Sequence, residues 1–496
     1  MKRKHVGFVI QLLFVCTYAV SAQKLVLPGD HPDPSVIKVG KTFWASSTSS
    51  NWFPSFPLLS STDLIHWKQH GYIFNKKSDW ADYYFWAPEL SYDKGKVYVY
   101  YAAHKKNGNL SVGAAVANKP EGPYTDLGPL VSQADGSIDA FAMRDENGKL
   151  YLIWKEDANS VNKPTPIWAQ PMKEDRTALT GEKKELFRND VNWEGNLVEG
   201  VSIIKHNGYF FAIYAAAGCC GINCTYAVGV ARAKNLLGPW EKYKQNPVMK
   251  GNDVWVCPGH GTAVEKDGRY YLLHHAYEKS SAPFTGRQGI LSEFRFTKNN
   301  WIEFIKETSS THAPINYTSI DDFNGSKLKQ EWQWSIFQNI NYTIKDHELQ
   351  LNALPGGSYI GQDIYSGNYE ATVQLERGYS NALGGIGVLG DDQNYIAIAA
   401  KSDSVFLLQV REGKIVKAEG RQIKNTGKLT LKVSVRGSKN VVFYYSVDSK
   451  PFKLLNSKAV DAAFIPPWDR AVRVGLISIG DSNEFSSFRH FVFRSH

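Results

Sequence analysis

Three acidic residues and one histidine recur at similar places in successive segments of the chain. They are Asp33 in His31-Pro-Asp-Pro34, Asp139 in Ser137-Ile-Asp139, Glu199 in Val198-Glu-Gly200 and His260 in Gly259-His-Gly261. Burying three acids and a histidine together is costly for structure alone. Two carboxyl groups that face one pocket can divide acid–base chemistry, because one stays protonated while the other is ionised. We therefore predict that these residues meet in one catalytic site.

The reaction that suits such a group of acids is cleavage of a glycosidic bond. One carboxylic acid protonates the leaving oxygen, and the other carboxylate activates water or attacks the sugar. A third carboxylate would raise the pKa of the acid by like-charge repulsion and hold it in place. Each acid also has a structural alternative: a turn residue for Asp33, a turn cap for Asp139, and pairing with a surface lysine for Glu199. Nearby rivals are Glu194, Asp135 and Glu89, of which Glu89 is interpreted as structural.

A repeated hairpin predicts how these residues come together. Glycine, two variable residues and an aromatic residue open a short apolar run five times, and successive glycines lie 55, 53, 60 and 60 residues apart. Glycine in a turn between two apolar runs is typical of a β-hairpin. A period of about 40–60 residues built from hairpins indicates a β-propeller, with chance hairpins in a β-sandwich as the alternative. The glycines are Gly40, Gly95, Gly148, Gly208 and Gly268.

We predict a five-bladed β-propeller with four strands per blade over residues 23–308. The first strand of each blade lines the central axis, so the residues that begin the five strands must converge. Counting six to nine residues back from each glycine reaches Asp33, the segment Trp86 to Glu89, Asp139, Glu199 and His260. The three acids and the histidine are therefore expected at one mouth of the axis.

With these motifs, about residues 25–308 resemble glycoside hydrolase family 43, five-bladed propeller enzymes that act on plant cell-wall side chains. The resemblance rests on the motifs above, on Phe85-Trp-Ala-Pro-Glu89, and on the segments Ser61-Thr-Asp-Leu-Ile-His-Trp67 and Gly238-Pro-Trp240. It implies that Asp33 is the general base, Glu199 the general acid, and Asp139 the residue that tunes and orients the acid. It also implies inversion of the anomeric configuration. The family commonly has Pro where Ala140 and Val201 stand here, which affects backbone stiffness and not the carboxylates.

The same resemblance implies which residues bind the sugar. Trp86 and one of Trp52 or Phe53 are expected to form the pocket wall, with packing inside the blade as the alternative. Arg287 resembles the family's pocket arginine, with a surface arginine as the alternative. His260 is expected either to contact the substrate or to lie beneath it near a hydrated Ca²⁺, with a hydrogen-bonded core histidine as the alternative. No cofactor is required, and any calcium here would be structural.

Length and composition agree with a β-rich protein of more than one domain. The chain has 496 residues, and its 25 Phe, 26 Tyr, 14 Trp, 41 Gly and 21 Pro favour strands and tight turns. Collagen, coiled coil and disorder are excluded, because neither their periods nor their compositions are present. The basic residues are scattered along the chain, which does not support a nucleic-acid partner.

Residues 1–22 have the pattern of a secretory signal. Lys2, Arg3 and Lys4 form a positively charged N-terminal region, and residues 6–20 are mostly apolar. Val20-Ser21-Ala22 has the small residues of a signal peptidase cleavage site. We predict cleavage near Ala22 and export to the periplasm or medium, which lowers the formal charge from +9 to +6. A membrane-spanning helix needs about 20 apolar residues, and no other segment is suited to span a membrane. Lipoprotein attachment at Cys16 is the alternative.

Four cysteines follow the predicted cleavage site. Cys219, Cys220 and Cys224 fall in one glycine-bounded stretch, and Cys257 lies three residues before His260. In an oxidising compartment we expect a disulfide among the four, which would pin a loop at the pocket. A zinc site is the alternative, although the spacing matches no common zinc pattern.

The last third of the chain predicts a second β domain. Residues 309–320 have the composition of a polar linker, and the alternating strands that follow predict a two-sheet β-sandwich or jelly roll over 321–496. The opening Asp321-Asp-Phe-Asn-Gly325, with Trp332 and Trp334, resembles the concanavalin-like C-terminal module of many xylosidases and arabinofuranosidases of this family. In some of them the module helps to close the pocket. Independent carbohydrate binding and pure stabilisation are the alternatives.

Together these features predict a secreted or periplasmic, all-β, exo-acting and inverting glycoside hydrolase. Its expected substrate is a terminal α-L-arabinofuranosyl residue on a plant cell-wall glycan, with β-D-xylosyl as the nearest alternative. The expected partner is an arabinose- or xylose-containing glycan, without nucleic acid and without a membrane span. A non-catalytic, carbohydrate-binding propeller is the alternative of a different class.

Overall fold

The structure is a computed structural model that describes residues 23–305, 315–376, 381–423 and 428–496, with side chains for all of these except residues 417 and 418. The predicted signal, residues 1–22, lies outside the described residues, as do residues 309–314 of the predicted linker. The described part of the chain is built from 38 strands and two short 3₁₀ helices, Ala158–Val161 and Asn192–Glu194. The all-β prediction is therefore confirmed.

The N-terminal domain is a five-bladed propeller, as predicted. Its innermost strands contact one another in a closed ring, in the order β2, β7, β11, β15, β19 and back to β2. Four blades are the antiparallel sheets β2-β3-β5-β6, β7-β8-β9-β10, β11-β12-β13-β14 and β15-β16-β17-β18. The strands are β1 Gln23–Leu27, β2 Ser35–Val39, β3 Thr42–Ser46, β4 Trp52–Phe53, β5 Ser55–Ser61, β6 Lys68–Phe74, β7 Ala81–Asp93, β8 Lys96–Lys105, β9 Leu110–Ala117, β10 Thr125–Ser132, β11 Ser137–Arg144, β12 Leu150–Glu156, β13 Ile167–Pro171, β14 Lys184–Phe187, β15 Val198–His206, β16 Tyr209–Ala216, β17 Ala227–Ala233, β18 Glu241–Lys242, β19 Trp255–Lys266, β20 Arg269–Glu278, β21 Arg287–Phe296 and β22 Ile302–Phe304.

The fifth blade closes the ring by joining both ends of the domain. Strands β19, β20 and β21 come from the end of the propeller, and β1 pairs with β21 from the beginning of the chain. In all five blades the glycine of the predicted hairpin stands in the turn between the two innermost strands, with φ between 62° and 84°. Glycine adopts this left-handed conformation without steric cost, which explains the repeat.

The C-terminal domain is a β-sandwich of two sheets, as predicted. One sheet has the strand order β25-β26-β38-β28-β33-β34-β35, with β23 and β36 at its sides, and the other has β27-β37-β29-β30-β31-β32. Alternate residues of β28, from Tyr369 to Leu375, point into the core between the sheets. The strands are β23 Tyr317–Asp321, β24 Trp334–Ser335, β25 Tyr342–Lys345, β26 Glu348–Asn352, β27 Ser358–Asp363, β28 Tyr369–Glu376, β29 Leu383–Leu389, β30 Tyr395–Lys401, β31 Ser404–Arg411, β32 Lys414–Gln422, β33 Leu429–Arg436, β34 Asn440–Val447, β35 Lys453–Leu454, β36 Val460–Asp461, β37 Arg473–Ile479 and β38 Phe485–Ser495.

The two domains are joined through a small sheet of their own. β4 of the propeller pairs antiparallel with β24 of the sandwich, with Phe53 opposite Trp334 and Trp52 opposite Ser335. The sandwich begins earlier than its predicted first residue, because β23 starts at Tyr317, inside the segment predicted as linker.

Candidate active site

Each of the five blades has one residue with a left-handed backbone within its innermost strand or, in the first blade, just before that strand. Asp33, Ala87, Asp139, Gly200 and His260 have positive φ values of 50°, 46°, 57°, 60° and 24°. In blades two to five, the ladder to the second strand shifts register at this residue. Such a bulge bends the strand and redirects the side chains around it. The convergence that the repeat predicts therefore has a local backbone cause.

Six of the eight predicted site residues line one cavity of about 400 Å³. The sandwich domain also contributes to its lining, through Trp468 and Asp469. The six predicted residues are Asp33, Trp86, Asp139, Glu199, His260 and Arg287.

Asp33 is held as an ionised carboxylate. Thr48 Oγ1 donates to its Oδ2 at 2.7 Å, and Arg287 Nη1 donates to its Oδ1 at 3.0 Å. Burial alone would raise the pKa of Asp33, but the charge of Arg287 together with His275 and His260 outweighs burial and holds that pKa well below its usual range. Its backbone N–H donates to His275 Nδ1 at 3.0 Å. Burial lowers the pKa of His275 to about 4, so this ring is neutral and acts as the acceptor.

Glu199 lies against a buried lysine that the sequence prediction did not include. Lys155 Nζ lies 2.5 Å from Glu199 Oε2 and 2.9 Å from Asp157 Oδ1, and the lysine side chain is only 1% exposed. Tyr226 OH donates to Glu199 Oε1 at 2.5 Å. Burial would raise the pKa of Glu199, but the charge and hydrogen bond of Lys155, together with Tyr226 and His260, outweigh burial and lower that pKa. Glu199 therefore does pair with a lysine, as its structural alternative proposed, but this lysine lies in the pocket and not at the surface.

Asp139 carries the raised pKa in this group. Its Oδ2 accepts a hydrogen bond from the Gly200 N–H at 2.9 Å. Burial and the charge of Glu199 raise the pKa of Asp139 to about 6, although His260 acts in the opposite direction. We expected the pKa of the acid, Glu199, to be the raised one. That expectation is wrong for the free pocket, because Lys155 bonds directly to Glu199, whereas at Asp139 burial and the charge of Glu199 prevail over the opposing charges of His260 and Lys155.

His260 stands between two of the carboxyl groups. Its Nδ1 lies 3.5 Å from Asp33 Oδ1 and 3.6 Å from Asp139 Oδ2. Burial lowers the pKa of His260, but the charges of Asp139, Asp33, Glu199 and Glu89 together outweigh burial, so the net shift of this pKa is upward. Among the described residues, no group of three or more His, Cys, Asp or Glu could hold a metal ion. The expected hydrated calcium near His260 stays a prediction, and no catalytic step is assigned to it.

Trp52 and Phe53 do not lie in the pocket, which corrects the prediction for them. Trp52 is 1% exposed and packs edge-on against Tyr359 with ring centroids 6.0 Å apart. Phe53 packs against Trp334 at 5.7 Å. Both rings belong to the domain junction, because β4 pairs with β24 of the sandwich. Trp86 does line the pocket, as expected.

The cysteines form two disulfides, Cys219–Cys220 and Cys224–Cys257. Cys219 and Cys220 line the cavity, and Cys219 Sγ lies 3.9 Å from Arg287 Nη1. This agrees with the expectation of a disulfide that pins a pocket loop. The zinc alternative is wrong for this structure, since all four sulfurs are paired with one another.

Several pocket residues were absent from the sequence prediction. Lys155 had a usable sequence signal, because it is a charged residue directly after the apolar run Leu150–Trp154. In the structure it pairs in register with Ile138, beside Asp139. Trp468 and Asp469 had no sequence signal for the pocket, because they come from the other domain. Glu89 does not line the cavity; it accepts a hydrogen bond from Thr262 Oγ1 at 2.8 Å.

A five-bladed propeller with three buried carboxyl groups at its axial mouth defines the class of propeller glycoside hydrolases. Residues 22–302 match the model of Glycosyl hydrolases family 43, and residues 320–466 match the Beta xylosidase C-terminal Concanavalin A-like domain. The chain belongs to glycosyl hydrolase family 43 and is a glycoside hydrolase, as predicted. No helix in the described part of the chain combines the length and the apolar character needed to cross a membrane.

Relatives of this chain carry both of the predicted activities in their names. Xylosidase/arabinosidase 43B of Humicola insolens is 24% identical over 89% of this chain and 89% of its own. Non-reducing end alpha-L-arabinofuranosidase BoGH43B of Bacteroides ovatus is 22% identical over 82% of each chain. In fold, a mutant of the GH43 protein BlXynB from Bacillus licheniformis superposes with a TM-score of 0.81 at 22% identity, covering 96% of this chain and 100% of that one.

Proposed function

We propose that this chain is an exo-acting, inverting glycoside hydrolase that releases terminal α-L-arabinofuranosyl residues from plant cell-wall glycans. The observation that carries the proposal is one cavity into which an ionised Asp33 and the Asp139–Glu199 pair all face. Relatives named as xylosidase/arabinosidase and arabinofuranosidase support a pentose as the released sugar. Release of β-D-xylosyl residues is the second candidate, because another relative, from Vibrio, is named xylan 1,3-beta-xylosidase.

In the proposed reaction, Asp33 takes a proton from a water molecule as that water attacks the anomeric carbon. The bond between the anomeric carbon and the leaving oxygen breaks, and Glu199 gives its proton to that oxygen. Arg287 keeps Asp33 ionised and can donate to sugar hydroxyls. Trp86 offers an aromatic face to the ring.

The proton that Glu199 delivers must be available although Lys155 favours its ionised form. Asp139 and Glu199 interact strongly enough to titrate as a pair, so a proton bound by either belongs to both. We propose that the proton bound with a pKa of about 6 at Asp139 is shared with Glu199 when the leaving oxygen competes with Lys155 for Oε2. Asp139 then acts by holding the pair's proton and by fixing the Gly200 backbone next to Glu199.

The exo mode is supported by the shape of the site. The cavity of about 400 Å³ lies at the end of the propeller axis, and Trp468 and Asp469 of the sandwich form part of its wall. A pocket of this kind accepts a chain end or side-chain tip more readily than the middle of a polymer. Export is proposed from the signal pattern of residues 1–22 alone.

The test is a screen of nitrophenyl pentosides with the wild type, Asp33→Asn, Glu199→Gln and the surface control Asp135→Asn. Either catalytic variant should lose about 10²–10⁴-fold in kcat while its unfolding temperature and circular dichroism stay unchanged. The NMR signal of the first-formed product should show the inverted anomer. Unchanged turnover in either variant would remove that residue from the mechanism. Sugar binding without hydrolysis by the wild type would favour the non-catalytic propeller.

A further inference from the structure

The wall of the pocket contains a disulfide between two neighbouring residues, Cys219 and Cys220. Both cysteines line the cavity, and both are half-buried, so the cavity meets the sulfur pair directly. The second disulfide, Cys224–Cys257, belongs to the same loop but does not line the cavity. The two disulfides of this loop therefore differ in their access to a ligand.

The Cys219–Cys220 pair lies on the side of the pocket that connects the proposed acid with the proposed base. In the ladder between β15 and β16, Ala215 stands opposite Glu199. Four residues further along the chain, Cys219 Sγ lies 3.9 Å from Arg287 Nη1, and this nitrogen donates to Asp33 Oδ1 at 3.0 Å. In an inverting reaction the sugar lies between the acid and the base. A sugar bound there must pass along this stretch of wall.

The loop that carries the pair is fixed at several points. The Gly218 N–H donates to Thr225 Oγ1 at 3.0 Å, and the Thr225 N–H donates to the Gly218 carbonyl oxygen at 2.9 Å. The Gly221 N–H donates to Tyr277 OH at 3.2 Å. The second disulfide ties the end of the loop to β19. A wall that is held in place before the ligand arrives lowers the entropy cost of binding.

The chemistry of the pair differs from that of its neighbours. A disulfide sulfur has no hydrogen to donate and accepts only weakly, so the pair is a polarisable, apolar surface. Arg287 and Asp33 beside it are charged. A pentose has hydroxyl groups that suit charged partners and C–H faces that suit an apolar one.

We propose that the Cys219–Cys220 disulfide is a substrate-contacting wall on which a C–H face of the terminal pentosyl residue packs. This inference rests on the proposed function, because it takes the pocket as the place of the released sugar. It adds a pair of residues that determines how tightly the pentose is held.

Protection of the disulfide by a ligand tests the contact directly. Dithiothreitol transfers two electrons to a protein disulfide, which gives two protein thiols and the cyclic disulfide of the reagent. Glu199→Gln is treated with dithiothreitol in the presence of methyl α-L-arabinofuranoside, methyl β-D-xyloside or the control methyl α-D-glucopyranoside. Alkylation and peptide mass mapping follow each disulfide separately. At ten times its dissociation constant, measured by calorimetry, a bound pentoside should slow reduction of Cys219–Cys220 about tenfold and leave Cys224–Cys257 unchanged.

The outcomes separate this inference from the proposed function. Protection by a pentoside together with a wild type that hydrolyses no pentoside would keep the wall and remove the proposed function. Hydrolysis by the wild type without protection would keep the proposed function and overturn the wall. Equal slowing of both disulfides would also overturn the wall, because the ligand would then act on the stability of the whole loop. Absence of pentoside binding by calorimetry would overturn it as well.

Kinetics of a cysteine variant give a second test. Cys219→Ala/Cys220→Ala should raise KM for a nitrophenyl pentoside about tenfold, change kcat by less than about threefold, and leave both limbs of the pH–rate profile in place. Ile222→Ala, in the same loop at 81% exposure, is the matched control and should keep KM within about twofold of the wild type. An unchanged KM in the double variant would overturn the wall. So would an acid limb of kcat/KM that moves upward, because the pair would then act on Asp33 through Arg287. If the double variant does not fold, the protection experiment decides, because it uses both cysteines intact.

Discussion

Asp469 of the sandwich accepts a hydrogen bond from Trp86 of the propeller, Nε1 to Oδ2, at 3.1 Å. The backbone oxygen of Asp469 accepts a second one from Arg287 Nη2 at 3.0 Å. Ser50 Oγ also donates to the Asp469 carboxylate. A buried residue of the second domain therefore fixes a wall of the pocket and the arginine that keeps Asp33 ionised.

Replacing Asp469 should damage the pocket without unfolding the propeller. Asp469→Ala removes the acceptor of Ser50 and one of the two acceptors of Trp86, and it leaves Arg470 without its 2.7 Å partner. Loss of a hydrogen bond to a charged group costs about 1.5–3 kcal/mol, so we expect at least about a tenfold fall in kcat/KM, mostly in KM. Asp469→Asn, which keeps one acceptor, should lose less. Kinetics with the exposed control Asp481→Ala check this, and equal KM values for Asp469→Ala and the wild type would contradict it.

Lys155 should set the alkaline limit of activity. Because its charge lowers the pKa of Glu199, Lys155→Met should raise that pKa and keep the acid protonated to higher pH. The alkaline limb of the kcat/KM profile should therefore move upward. Stability should fall by about 3–5 kcal/mol, since two buried carboxylates lose their partner.

The measurement for Lys155 is a pH–rate profile beside a urea unfolding curve. Lys163→Met is the control, because Lys163 pairs with Asp135 at the surface and its side chain is 61% exposed. An alkaline limb that stays in place in Lys155→Met would mean that Glu199 is not the acid.

Much of the site was predictable because its parts repeat along the chain. Asp33, Asp139, Glu199 and His260 each stand seven to nine residues before a hairpin glycine, so local pattern and propeller geometry together place them. Trp52 and Phe53 were predicted as pocket residues, but they pack at the domain junction because β4 pairs with β24. That pairing joins segments far apart in the sequence, so no local pattern indicates it. The contact of Trp86 with Asp469 spans 383 residues and leaves no local trace in the sequence.

Glu89 should make the stability of the propeller depend on pH. Burial raises the pKa of Glu89 from 4.5 to about 7. A carboxyl group whose pKa is raised on folding stabilises the fold below its unfolded pKa, and that contribution is lost as the pH rises through the folded value. Between about pH 4.5 and 7 the wild type should therefore lose up to about 3 kcal/mol.

Glu89→Gln isolates this effect because glutamine stays neutral and can still accept from Thr262. The variant should melt at a higher temperature than the wild type at pH 8, and the difference should shrink at pH 4.5. Thermal unfolding at the two pH values measures it, with the exposed Glu303→Gln as control. The same difference at both pH values would show that Glu89 keeps an ordinary pKa.

Gly200 should tolerate no side chain, because it lies against His260 at the centre of the site. A Cβ at Gly200 would stand 2.7 Å from His260 Cγ, and the residue has a φ of 60°. Gly200→Ala should therefore push His260 away from Asp33 and Asp139, cost about 1–3 kcal/mol of stability, and lower kcat. Gly208→Ala is the matched control, since Gly208 has a φ of 74° but nothing within 4 Å of the added carbon. It should cost about 1 kcal/mol from backbone strain alone and leave kcat unchanged. Unfolding curves and kinetics of the two variants test this prediction. Equal losses of stability and kcat in both variants would show that backbone strain, and not the contact with His260, is the cause.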